Sequence, residues 1–129
     1  MYEYKNIKFA DHLGAPCENQ NNRFTNSHTK YNLTIIATLP DKSHIVRRTH
    51  YQYAPQYNKF KAGDGLLAVL MDAQAGAYDY KDFCTEYGYT NDDPRARRVY
   101  NSCVSAYKFF EKLGLNEYEI NDFVQQLDK

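Results

Sequence analysis

The chain of 129 residues lacks tryptophan, has three cysteines and balances sixteen Lys and Arg against sixteen Asp and Glu. It also lacks a long apolar run. The longest, Leu66 to Met71, falls far short of the roughly 20 residues that a membrane-spanning helix needs. No basic-then-apolar leader opens the sequence, so a soluble protein of the cytoplasm is expected, with no membrane contact. Cys17, Cys84 and Cys103 are odd in number and form no Cys-x-x-Cys pair, which argues against a disulfide framework and suits a reducing compartment. There is no Walker loop: the Gly63-Asp64-Gly65 turn lacks the lysine and hydroxyl that cradle phosphate. A dinucleotide-binding glycine pattern is absent too. His44 and His50 are six apart and would share a face of one strand, but no nearby carboxylate or cysteine has metal-ligand spacing. Cys84 has no neighbouring base, so a nucleophilic role has no support. Together these absences lead to the expectation of a non-enzymatic protein without metal or cofactor.

What is present is a charge split beneath the net zero. Residues 1–63 hold nine Lys and Arg against four acids, net +5, and all four histidines; residues 64–129 hold seven against twelve, net −5. Such asymmetry speaks about partners rather than fold. The basic part suits an acidic surface or a nucleic-acid backbone, the acidic part a basic partner, and the two would equally attract each other. Thirteen tyrosines supply rings with an apolar body and a wet tip, a residue type common at boundaries and interfaces. They recur as Tyr-x-Tyr at Tyr2/Tyr4, Tyr51/Tyr53, Tyr78/Tyr80 and Tyr87/Tyr89.

The length fits one domain with one core, expected as a basic, loop- and β-rich part over 1–63 and an acidic helical part over 64–129. Tyr2, Tyr4, Ile7 and Phe9 mix alternation with a skip, a weak strand signal. Gly14 to Lys30 is polar and reads as a long loop, with Arg23, His28, Phe24 and Lys30 placed to touch a partner. Tyr31, Leu33, Ile35, Ala37 and Leu39 alternate over a β-branched stretch, the clearest strand. Pro40 to Ser43 supplies turn chemistry. In the return strand Ile45, Arg47, Thr49, Tyr51 and Tyr53 fall on one face, expected over the core, and Val46, Arg48, His50 and Gln52 on the other. A connector over Ala54 to Gly65 leads to an apolar helix capped by Asp64 and ended by Gly76.

The stretch Asp79 to Cys103 carries the densest local logic. Asp79 is the expected N-cap of a short helix closed by Gly88 in the left-handed region. Asp92 is the expected N-cap of a long helix, with Asp93 and Pro94 in its first turn. Ala96, Val99, Tyr100, Cys103, Ala106, Tyr107, Phe110 and Leu113 follow at spacings of three and four, and Gly114 stops it. Asn116 and Glu119 form a capping-box pattern for a last helix striped by Ile120, Phe123, Val124 and Leu127. The fold class is therefore α+β, an N-terminal antiparallel hairpin or small sheet packed on a C-terminal bundle of three to four helices.

Two basic clusters remain. Arg47, Arg48 and His50, interleaved with Tyr51 and Tyr53, suit gripping phosphates and stacking bases as single-strand binders do, or keep a hairpin edge from pairing. Arg95 and Arg98 share a face at the start of the long helix and can pair with Asp92 or Asp93 or reach an acidic partner. The candidate partner-binding residues are thus Arg23, Lys30, Arg47, Arg48, His50, Tyr51, Arg95 and Arg98.

The wording Phe83-Cys84-x-Glu-Tyr-Gly88-Tyr89, Asp92, Arg95-Ala96, Tyr100 and Cys103 resembles a recurring pattern in small uncharacterised accessory proteins of tailed phages and prophages. Those proteins also place a β-hairpin before an apolar helix. The resemblance implies a phage accessory protein, expected in the host cytoplasm; either a monomer or a homodimer is compatible with the sequence. The role it suggests is a non-enzymatic inhibitor of a host defence effector, in the manner of an anti-CRISPR protein directed at a CRISPR nuclease or surveillance complex. The alternative is a nucleic-acid-binding accessory protein that uses the basic hairpin and loop.

Overall fold

The computed structural model describes residues 2–16, 30–52 and 62–127. Four strands precede four helices: β1 (Tyr2–Tyr4), β2 (Ile7–Pro16), β3 (Lys30–Thr38), β4 (His44–Gln52), then α1 (Asp64–Gly76), α2 (Tyr80–Tyr87), α3 (Pro94–Lys112) and α4 (Glu117–Leu127). This is an α+β protein. It divides into two compact units, Met1–Leu66 and Leu67–Lys129, a boundary close to where the sequence changes sign of charge. Arg23, Phe24 and His28, Tyr53 and most of the connector to α1 lie outside the described residues.

In the first unit the strands form one antiparallel meander in the order β1-β2-β3-β4. The skip between Tyr4 and Ile7 is a two-residue turn: Lys5 and Asn6 take φ of 50° and 65°, the left-handed pair that matches strand twist. Tyr4 pairs with Ile7 and Tyr2 with Phe9 across it. β3 and β4 meet at Leu39 to Ser43, where Lys42 N–H donates to Leu39 O at 2.8 Å and Ser43 N–H to Asp41 Oδ1 at 2.9 Å. The Ser43 hydroxyl and amide hold the Asp41 carboxyl below its ordinary value.

Registers fix the two faces of the sheet, because side chains alternate along each strand. Tyr4, Ile7, Phe9, Leu33, Ile35 and Ala37 are buried on one face, as the alternation in β3 predicts. Asp11 shares that face, opposite Ile35, which in turn faces Arg47. The Asp11 carboxylate accepts from Gly63 N–H and Leu66 N–H, each at 3.0 Å, and so satisfies donors that the start of α1 would leave orphaned. Tyr2 donates its hydroxyl to Ala62 O at 2.6 Å. These two strand residues fix where α1 begins.

In the second unit the caps decide the helix ends. Asp79 accepts from Asp82 N–H at 2.8 Å and Gly88, at φ 79°, donates back to Cys84 O. The long helix is capped by Asp93 rather than Asp92: Asp93 accepts from Arg95 N–H with Pro94 in the first turn. The cap stands immediately before the first helical residue, and Pro94, with fixed φ and no N–H to satisfy, takes that first position. Asn116 and Glu119 exchange side-chain-to-backbone bonds at 2.9 and 3.0 Å, the reciprocal capping box. α1 ends at Gly76, as expected, but without a left-handed cap. A Cβ there would sit 2.1 Å from Cys103 O, so the glycine serves the close approach of α1 to α3. Ala75, Phe83, Cys84, Ala96 and Cys103 form a buried cluster edged by Tyr80, Tyr89 and Tyr100. The stripe on α3 differs from expectation at two places: Val99 is exposed and Phe109 is buried.

Candidate functional site

The outer face of the first unit's sheet gathers three of its six described Lys and Arg and all three of its described histidines. On β2 it presents Lys8, Ala10 and His12; on β3 Lys30, Asn32, Thr34, Ile36 and Thr38; on β4 His44, Val46, Arg48 and His50. Cross-strand partners make rows of it: His12, Thr34 and Arg48 lie side by side, as do Lys8, Thr38 and His44. Strand separation near 4.8 Å sets each three-residue row at roughly 10 Å, and the six-residue step from His44 to His50 spans about 20 Å. Lys8, His12, Lys30, His44, Arg48 and His50 are all exposed. Glu3, beside Lys8 in register, is the one acid placed on this face by the described strands.

Local geometry adds detail. His44 Nδ1 and Thr38 Oγ1 are 3.0 Å apart, which orients that ring across β3 and β4. A shallow depression of about 370 Å³ is lined by Asn32, Thr34, Arg48 and His50, with Leu33 and Thr49 between them. The arrangement offers a guanidinium, amide and hydroxyl donors and imidazole rings on a firm scaffold. That set can bind an anion through charge-assisted hydrogen bonds and lay flat rings against planar ones. Among the described residues no group of three or more His, Cys, Asp or Glu is disposed to hold a metal ion.

The structure separates residues that the sequence grouped. Arg48, His50 and Lys30 share the outer face. Arg47 and Tyr51 lie on the opposite, half-buried face with Ile35 and Tyr31 as their register partners, and Arg47 Nε is shielded from solvent. Adjacent residues of a strand cannot serve one surface, so Arg47 cannot join Arg48 in gripping a single ligand, and Tyr51 is no stacking platform for it. Arg23 lies outside the described residues. Conversely, Lys8 and His12 belong to the face and were not singled out from the sequence.

Arg95 and Arg98 lie in the second unit and line a shallow cleft of about 540 Å³ with Tyr89, Thr90 and Asp93. Arg95 is already engaged, its Nη2 donating to Asp93 Oδ2 at 2.9 Å. The Arg95 hydrogen bonds hold the Asp93 carboxyl below its ordinary value, and Asp93 raises Arg95 in return. Arg97 stacks its guanidinium 3.6 Å from the centre of the Tyr80 ring, a cation–π contact. Much of this arginine cluster therefore serves the helix start and its packing. Among the described residues, no helix is long and apolar enough to cross a membrane.

Compared with protein-family models, with curated proteins and with solved structures, the chain matches none.

Proposed function

We propose that the chain is a non-enzymatic binding protein whose outer sheet face holds single-stranded nucleic acid. The observation that carries this reading is the convergence of Lys8, Lys30 and Arg48 with His12, His44 and His50 on one exposed face of a four-stranded sheet. Cations there would track phosphates, releasing counterions, and the flat imidazoles would meet unstacked bases, which single strands expose and duplexes do not. The site asks for no sequence readout. Its affinity is expected to be salt-dependent and tolerant of base identity.

Fluorescence anisotropy with labelled oligo-dT and oligo-rU at several salt concentrations tests the reading. Arg48→Ala is expected to weaken binding and to flatten the salt dependence by about 0.7 in log–log slope, the amount lost with one phosphate contact to a single strand. Arg47→Ala, on the other face, is expected to leave the slope unchanged. Binding that is insensitive to salt, or equal losses for both arginines, would refute the assignment.

A second reading rests on the phage-type motif from Phe83 to Cys103 and on the acidic charge of residues 64–129: an inhibitor of a host defence effector, anti-CRISPR-like, acting in the host cell by binding the effector or its nucleic-acid site. Expression in a CRISPR-immune host is expected to restore plating of a targeted phage. Undiminished immunity, with no effector retained by the protein, would reject it.

A further inference from the structure

Six large hydrophobic side chains are exposed among the described residues, and five of them lie in the helical unit: Met71, Tyr78, Tyr87, Val99 and Tyr118. Their placement is not scattered. A cleft of about 400 Å³ is walled by Tyr78, Tyr87 and Tyr118, and one of about 340 Å³ by Met71, Tyr87 and Val99. Tyr87 and Gln74 line both, so the two clefts adjoin along one grooved surface. Met71, Gln74 and Tyr78 recur along α1 at the three- and four-residue steps of one helix face, continuing past its last turn. Tyr118 is 76% exposed and Met71 54%, which is more than isolated apolar residues of a boundary need.

The floor is firm. Phe83 is buried and its ring lies 5.0 Å from that of Tyr87 and 5.8 Å from that of Tyr89, while Tyr78 meets Tyr87 edge-on at 6.2 Å. Tyrosine and methionine are the side chains that interfaces favour, one rigid and amphipathic, the other adaptable. The charged residues on the walls of these two clefts are acidic, while Arg95 and Arg98 line a further cleft that shares Tyr89 and Val99 with the second. Asp72 lines one cleft and Glu117 the other, and among the described residues neither is lined by a lysine or arginine. Burial, then the neighbouring Tyr78 and Cys103, and after them Glu86 and Asp72, hold the Tyr87 hydroxyl above its ordinary value.

We infer that this groove is a docking site for a basic amphipathic helix of a partner protein, its apolar residues seated between Met71, Tyr87 and Tyr118 and its lysines or arginines against Asp72 and Glu117. The inference stands apart from the nucleic-acid reading, since it uses the other unit and the opposite charge. An i, i+3, i+4, i+7 anchor pattern fits a groove of this kind, and the acidic rim selects the sign of the partner.

The test uses the full chain and three labelled model peptides. The first is a helix with leucine at i, i+3, i+4 and i+7 and lysine elsewhere, the second the same with glutamate for lysine, and the third a scrambled basic peptide. The amphipathic basic peptide is expected to bind at least tenfold more tightly than either control. Met71→Glu and Tyr118→Ala are each expected to weaken it several-fold with an unchanged circular dichroism spectrum, these positions being exposed. The double variant Asp72→Lys/Glu117→Lys is expected to reverse the preference in favour of the acidic peptide, a readout that loss of fold cannot mimic. Equal binding of the scrambled peptide, indifference to the charge reversal, or no binding at all overturns the inference. So does sedimentation showing a dimer that Met71→Glu dissolves, since a second copy would then be the occupant.

Discussion

Replacing Gly76 with alanine should destabilise the helical unit, although a survey of backbone angles would predict the reverse. Gly76 is the last residue of α1 and does not have a positive φ, and alanine in a helix is worth at most about 1 kcal/mol over glycine. The added Cβ, however, would lie 2.1 Å from Cys103 O, 2.4 Å from Cys103 C and 2.8 Å from Val104 N. Heavy atoms rest at roughly 3.5 Å, so α1 and α3 must part by more than ~1 Å. The obstacle is backbone, and no rotamer change relieves it. Overpacking of this kind costs about 3 kcal/mol at the upper end of its usual range, leaving a net loss of ~2 kcal/mol after the propensity gain. Urea unfolding followed by far-ultraviolet circular dichroism should show a lower midpoint with an unchanged slope, and thermal unfolding a fall of roughly 8 °C. Gly88→Ala is the matched control: nothing lies within 4 Å of its Cβ but its φ is 79°, so it should lose about 1 kcal/mol from left-handed strain alone. A midpoint for Gly76→Ala equal to or above the parent would refute the close-approach account.

Asp11→Ala removes the acceptor for Gly63 N–H and Leu66 N–H and should cost ~1–3 kcal/mol in the same denaturation assay, with Asp11→Asn recovering part of it. Tyr100→Phe deletes the 2.7 Å bond from its hydroxyl to Tyr78 O and should cost ~0.5–1.5 kcal/mol without disturbing the ring contacts to Phe83 and Tyr80. Asp93 has a folded pKa below its ordinary value because of Arg95, so its contribution is complete above that ordinary value and disappears as pH falls through the lowered one. Asp93→Asn, which keeps the cap, should therefore flatten the acid limb of a stability–pH profile below about pH 5, and an unaltered limb would count against the Asp93–Arg95 pair.

The helical half was legible because its signals are local. Asp79, Gly88, Asn116 and Glu119 each act within a few residues of their position, so the sequence order contains the whole reason for each cap. The one-residue displacement from Asp92 to Asp93 reflects two adjacent aspartates before a proline, both able to cap in isolation. Gly76 ends α1 as expected, but its approach to Cys103 involves another helix, and no local pattern reports a backbone approach. Only the start of β2, Ile7 and Phe9, was signalled; its continuation was hidden by Asp11, a charged residue on the inward face of the strand. That position breaks the apolar alternation on which strand recognition depends, yet it is filled by the residue that anchors α1.

Missing the length of β2 explains why the candidate face was only half visible. Within β4 alternation already sets Arg47 on the core side and Arg48 with His50 on the other, but it does not show which strands stand beside them. Ile35, fully buried between Asp11 and Arg47 in register, marks the core side. With β2 beside β3, His12 joins Arg48 across Thr34, and Lys8 joins His44 across Thr38. A surface distributed over three strands has no sequence signature, because its members lie up to forty-two positions apart, from Lys8 to His50. Its side chains point away from the buried face that holds the sheet together, so packing places no demand on their chemistry. Core requirements do not account for six basic or imidazole groups gathered there, and for that reason the outer face, rather than the well-explained Phe83 to Cys103 motif, is where a function specific to this chain is best sought.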